Sequence, residues 1–119
     1  WYNFYVSPEK ESNQKREFSE LTSVEKVAAI LGASLEPVSK ELAIDLAGID
    51  ITSIDEDTKI ELEELFDQDY VVKSEKNGKV VYHLTDEAKT MLEEKVNVSS
   101  VTDVIADNLM TYLFNGVEI

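Results

Sequence analysis

The chain has 119 residues, 43% of them hydrophobic and 30% charged, with no cysteine and a formal net charge of −14. This is the composition of one globular domain with appendages, and it excludes disulfides, thiolate metal centres and wholesale disorder. No apolar run approaches the roughly 20 residues of a membrane helix, no signal peptide is visible, and the acidity repels phosphate and anionic lipid, so a cytoplasmic protein with no membrane partner is expected.

The chain opens on Trp1 rather than Met, so a piece of a longer protein is expected. Residues 1–6 are aromatic and strand-like, an extended arm that packs against the last helix or marks where an upstream domain attaches. Residues 7–20 are polar around a single Phe18 and read as a linker or frayed helix. A first helix is expected over 23–33. Thr22 and Glu25 have the spacing of a capping box, in which each side chain satisfies the other residue's free N–H. Val24, Val27, Ala28 and Leu31 share its apolar face, and Gly32 suits a C-terminal stop. Leu35 to Val38 reads as an extended bridge, because the residue before Pro37 avoids the helical region.

Ser39 is the expected cap of a second helix over 39–47, with Leu42, Ala43 and Leu46 inward and Gly48 at its end. A third helix is expected from Ser53, with Ser53 and Glu56 as a second capping box and an imperfect apolar stripe through Ile54, Thr58, Leu62, Leu65 and Phe66. Strands over 70–76 and 79–84 flank Asn77-Gly78, a pair that supplies the positive backbone angles of a tight hairpin. Val80, Tyr82 and Leu84 are expected inward, Val81 and His83 outward. Thr85 caps a fourth helix over 86–96, whose Met91 and Leu92 point to the core. A last helix over 100–114 carries Val101, Val104, Ile105, Leu109, Tyr112 and Leu113 at helical spacing, and Asn115-Gly116 closes it.

The matching pieces are Ser39-Lys40-Glu41-Leu42-Ala43, Leu65-Phe66-Asp67-Gln68-Asp69-Tyr70-Val71 and Tyr82-His83-Leu84-Thr85-Asp86-Glu87-Ala88. In their order and spacing, the stretch from about Val24 to Lys95 resembles the winged helix-turn-helix superfamily, in outline the MarR-like and PadR-like regulators. The resemblance implies a mainly α fold with a small β-hairpin, a winged helix-turn-helix with an additional C-terminal helix. The expected organisation is an aromatic arm and polar linker (1–20), the winged domain (21–96) and a C-terminal association helix (97–119). The resemblance also implies DNA binding through the third helix, with dimers formed through terminal helices.

The charge distribution opposes that inherited role. Between Ser53 and Tyr70 eight carboxylates face one Lys59, a net −7 and half of the charge of the whole chain. DNA affinity comes largely from Lys and Arg that neutralise phosphates and release counterions. DNA is therefore disfavoured, and the acids Asp55, Glu56, Asp57, Glu61 and Glu64 are expected to meet a basic protein surface or another domain of the same protein. The bland alternative is a solvated face whose first acids complement the helix dipole. Lys73, Lys76 and Lys79 make the wing the alternative, nucleic-acid-contacting element, or else protect a sheet edge. Val101, Ile105, Leu109, Tyr112 and Leu113 are the expected association surface of a homodimer, the bland alternative being packing on the domain's own first helix. No cofactor, metal or catalytic group is expected: His83 stands alone, and a calcium loop starting at Asp55 would need Gly and Glu where Ile60 and Phe66 stand.

Overall fold

The computed structural model describes residues 15–117, with side chains described as far as Leu109. The arm expected over 1–6, the first half of the linker, and the side chains of Tyr112 and Leu113 lie outside the described residues. The chain runs through a 3-10 turn (Phe18–Glu20), α1 (Ser23–Ala33), α2 (Lys40–Leu46), α3 (Glu56–Leu65), β1 (Val71–Lys76), β2 (Lys79–Leu84), α4 (Asp86–Lys95) and α5 (Val98–Val117). This is a winged helix-turn-helix with an additional C-terminal helix.

Helix α1 is the hub. It packs against α2, α3, α4, α5 and β2. Its start is the expected capping box: Thr22 Oγ1 accepts from the Glu25 N–H, and Glu25 Oε1 accepts from the Thr22 N–H. Because neighbours surround it, Val27, Ala29, Ile30 and Leu31 are all fully buried, so the buried arc is wider than the single face its periodicity suggests. Gly32 does not terminate it. The helix continues to Ala33, and Ser34 Oγ donates to the Ile30 carbonyl. Gly32 is there for space: a Cβ at this position would stand 2.5 Å from Leu92 Cδ2 and 2.9 Å from Leu84 Cδ1.

Helix α2 starts at its expected cap, with Ser39 Oγ accepting from the Leu42 N–H, and ends before Gly48 at φ +76°. Helix α3 starts later than expected. Asp50 accepts from the Thr52 N–H and from the hydroxyls of Thr52 and Ser53. That turn takes the Ser53 hydroxyl, and Asp55 caps the helix instead by accepting from the Thr58 N–H. The capping box from Ser53 to Glu56 therefore does not form.

The hairpin has its expected register, Val71 opposite Leu84 through Lys76 opposite Lys79, with Asn77 and Gly78 at φ 54° and 77°. Val38 pairs with Tyr82 on the other edge of β2 through two backbone hydrogen bonds of 3.0 and 2.7 Å, so the extended bridge acts as a short third strand. Tyr82 and Leu84 are buried as expected, and the Tyr82 ring meets Phe66 edge-on at 4.7 Å between centroids. Val80, expected inward, is 41% exposed, whereas Val81, expected outward, is buried. Val80 sits near the wing tip opposite Glu75 and is not among the side chains packed on the core.

Two further expectations change. Residues 16–20, read as linker, are packed into the domain. Phe18 is buried, Arg16 forms a parallel bridge to Val96, and the Phe18 N–H donates to Ser100 Oγ. A lone aromatic in a polar run carries no periodic signal, so only tertiary contact shows its role. Met91, expected in the core, is 56% exposed, while Leu92 beside it packs on the core. Thr85 does cap α4, accepting from the Ala88 N–H.

Helix α5 begins at Val98, where Asn97 Oδ1 accepts from the Ser99 N–H, and runs through Asn115 and Gly116 to Val117 rather than closing before them. It packs on α1, α2 and the 3-10 turn. Asn108 Nδ2 donates to the Leu46 carbonyl at 2.7 Å, satisfying a carbonyl left free at the end of α2. No described helix is long and apolar enough to cross a membrane.

Candidate partner-binding face of helix α3

Helix α3 is held to the body by one stripe. Leu62, Leu65 and Phe66 are buried, Ile54 packs on the core, and α3 lies against α1. Apart from Ile60, everything else on the helix is polar, and Asp55, Glu56, Asp57, Glu61, Glu63, Glu64, Asp67 and Asp69, between Ser53 and Tyr70, are all exposed. A helix with a narrow apolar stripe must expose the rest of its circumference, so the acids have nowhere else to go. Asp57, Ile60, Glu61 and Glu64 fall at three- and four-residue spacing and share one side. Ile60 is 52% exposed there, an aliphatic side chain ringed by carboxylates.

Few of these charges are offset. Lys59 Nζ lies 3.5 Å from Glu56 on the same helix. Lys40 of α2 reaches both oxygens of Glu63 at 3.1 and 3.2 Å and sits 5.5 Å from the centroid of the Phe66 ring. These pairs are solvent-exposed, and each contributes of order 0–1 kcal/mol. No other ion pair to the carboxylates of this segment occurs among the described residues.

The Asp55 cap gives the segment a pH signature. The Thr58 side chain and then the Thr58 N–H hold the Asp55 carboxyl below its ordinary value of 3.8. Asp50 is likewise lowered, first by the Thr52 hydroxyl and then by Ser53. A group whose folded pKa is depressed contributes stability above its unfolded pKa and loses it as pH falls through the folded value. Acidification below about pH 4 should therefore weaken the start of α3. Asn caps a helix about as well as Asp. Asp55→Asn is thus expected to show a smaller fall in urea midpoint between about pH 5 and pH 2 than the native chain. Asp55→Ala should lose stability most at about pH 5, and its difference from the native chain should shrink toward about pH 2.

The wing lysines do not form one patch. Lys73 stands opposite Tyr82 and shares its side of the hairpin, whereas Lys76 and Lys79 stand opposite one another on the other side. Lys76 Nζ is tied to Glu36 at 2.7 Å, and this contact holds the Glu36 carboxyl below its ordinary value. Lys73 and Lys79 are exposed with no ion-pair partner among the described residues. His83 stands opposite Val72 and is half-buried, and its Nδ1 is buried without a hydrogen-bond partner among the described residues.

Of the expected association residues, Val101 is fully buried against the domain, Ile105 is partly buried on the core and Leu109 is 37% exposed. The first half of α5 thus faces its own domain, and of the described side chains in this set only Leu109 is exposed. Among the described residues no group of three His, Asp or Glu side chains is arranged to hold a metal ion.

No protein-family model, curated protein or solved structure matches this chain.

Proposed function

We propose that this domain is a non-catalytic winged-helix regulatory module that works in the cytoplasm by docking a basic protein surface, or a basic domain of the same protein, on the exposed side of α3. The observation that carries this reading is the state of the eight carboxylates between Ser53 and Tyr70: all are exposed, and among the described residues only Glu56 and Glu63 have a lysine beside them. A helix in this position of the fold would lie along phosphates in a DNA complex, where carboxylates add repulsion in place of counterion release. Against a cationic protein surface the same charges steer encounter, and Ile60 at their centre supplies an apolar anchor of the kind that dominates interface energy. A homodimer through the outward side of α5, where Leu109 is exposed, would present two such sides on one assembly.

The alternative reading is a DNA-binding regulator that grips phosphate with the wing. It is favoured by Lys73 and Lys79, the two wing lysines without an acidic partner among the described residues.

The two separate in a titration at low salt, where electrostatic binding is strongest. The probes are a random-sequence DNA duplex and an amphipathic peptide rich in Lys and Arg with one Leu-lined side. The peptide is expected to bind and to be released by added salt, and the duplex to show no retardation. Glu61→Lys together with Glu64→Lys should weaken peptide binding roughly tenfold or more, about 1.4 kcal/mol. Reversal of Glu93 and Glu94, exposed on α4, changes the net charge equally and should have a much smaller effect. Retardation of the duplex, or equal losses from the two reversals, would overturn the proposal.

A further inference from the structure

A second surface stands apart from the acidic helix. Between α1 and α4 lies an open groove of about 540 Å³, floored and walled by Leu21, Ala28, Leu84, Met91, Leu92 and Val96. Two of its large apolar lining residues are exposed, Tyr70 at 43% and Met91 at 56%. An apolar concavity of this size, with two large side chains left to solvent, is the usual form of a binding site for an apolar segment. Its rim carries both signs: Asp69, Glu87 and Lys95 border it, and Glu25 is already engaged by the Arg16 guanidinium at 3.2 Å.

Arg16, almost the first described residue, itself lines the groove. The chain therefore enters the described fold at the edge of the groove. Upstream of it stands Trp-Tyr-Asn-Phe-Tyr-Val, residues 1–6, four aromatics, an asparagine and a valine whose only ionisable side chains are the two phenols. The eight intervening residues, 7–14, can span up to about 29 Å when extended, enough to reach any part of the groove from Lys15. A segment without carboxylates escapes the repulsion that a −14 chain imposes on most of its own sequence. Its indole N–H and phenol O–H groups are donors, suited to the two rim carboxylates of Asp69 and Glu87.

We propose that the aromatic segment Trp1–Val6 of the same chain is the occupant of the groove between α1 and α4, with its rings on Met91, Leu92 and Val96 and its donors toward Asp69 and Glu87. The site is thus a receptor for short aromatic peptides lacking acidic residues, filled in cis. It lies off α3, and Asp69 is the one carboxylate of the acidic segment that also lines it.

Trp1 is the only tryptophan of the chain, which makes its fluorescence a direct reporter. In the full 119-residue chain the Trp1 emission should be blue-shifted from that of the free peptide 1–14, with a several-fold smaller acrylamide quenching constant. Met91→Glu places a charge on an exposed wall and leaves the core intact. It should return emission and quenching to the values of the free peptide while the far-UV circular dichroism stays native. A nuclear Overhauser contact between the Trp1 ring and the Met91 methyl is expected in the native chain. Emission like that of the free peptide would overturn the proposal. So would a blue shift that survives Met91→Glu with no Trp1–Met91 contact, because the arm would then lie elsewhere. Shielding lost on dilution would overturn the cis arrangement in favour of exchange between two copies.

Discussion

Leu62→Ala is expected to lower the stability of the domain by about 2–5 kcal/mol, the range for truncating a fully buried leucine. Leu62 is 2% exposed and is one of only two buried residues within α3. The helix contributes little else to the body, because its other positions are polar or exposed. Removing the γ-branch leaves a cavity under a segment that also carries mutual repulsion among its acids. Domains of this size are stable by about 5–15 kcal/mol, so the variant should fold but with a much lower urea midpoint. Ile60→Ala on the same helix is the internal comparison. Ile60 is mostly in solvent, so its truncation should change stability by no more than about 0.5 kcal/mol. The Ile60 variant should instead weaken binding of the basic peptide. Equal stability losses at the two positions would mean that α3 is seated on the body differently from the arrangement described above.

Gly32→Val is expected to cost about 1–3 kcal/mol, the range for overpacking. In an ordinary helix interior the change from glycine would be favourable, by up to about 1 kcal/mol for Ala and less for a β-branched residue. Here the sign reverses because α1, β2 and α4 converge on this residue. The nearest atoms to an added Cβ are Leu92 Cδ2 at 2.5 Å and Leu84 Cδ1 at 2.9 Å. Leu92 is half-buried and can turn its methyl outward, but Leu84 is buried and cannot yield so easily. Gly32→Val should therefore be less harmful in a Leu92→Ala background, with a coupling of about 0.5–3 kcal/mol. Its absence would remove the Leu92 contact as the cause and leave Leu84 to account for the loss.

The two positions differ in how they could be read. Leu62 belongs to a stripe visible in the sequence. Gly32 sits where a helix-ending glycine is also natural, and both explanations predict a glycine. Only the presence of Leu84 and Leu92 above it distinguishes a packing glycine from a stop. The α3 acids were visible as a charge run, and nothing in the run told whether they would be paired. Among the described residues the arrangement around them offers only Lys40 and Lys59, one from the preceding helix and one from the same helix. The groove between α1 and α4 had no counterpart in the sequence, since its walls come from residues as far apart as Leu21 and Val96.

What the sequence by itself determined is whatever depends on neighbours within about four residues. The Thr22 and Glu25 box, the Ser39 and Thr85 caps, the Asn77-Gly78 turn and the order of helices and strands all rest on short-range hydrogen bonds and backbone preferences that a local pattern encodes. What only the tertiary structure decided is whatever depends on which distant atoms arrive at a position: the space above Gly32, the burial of Phe18, the exposure of Met91 and Val80, and the seating of α5 through Asn108. Burial and packing are sums over contacts with chain segments far away in sequence, and those sums do not exist until the chain has closed on itself.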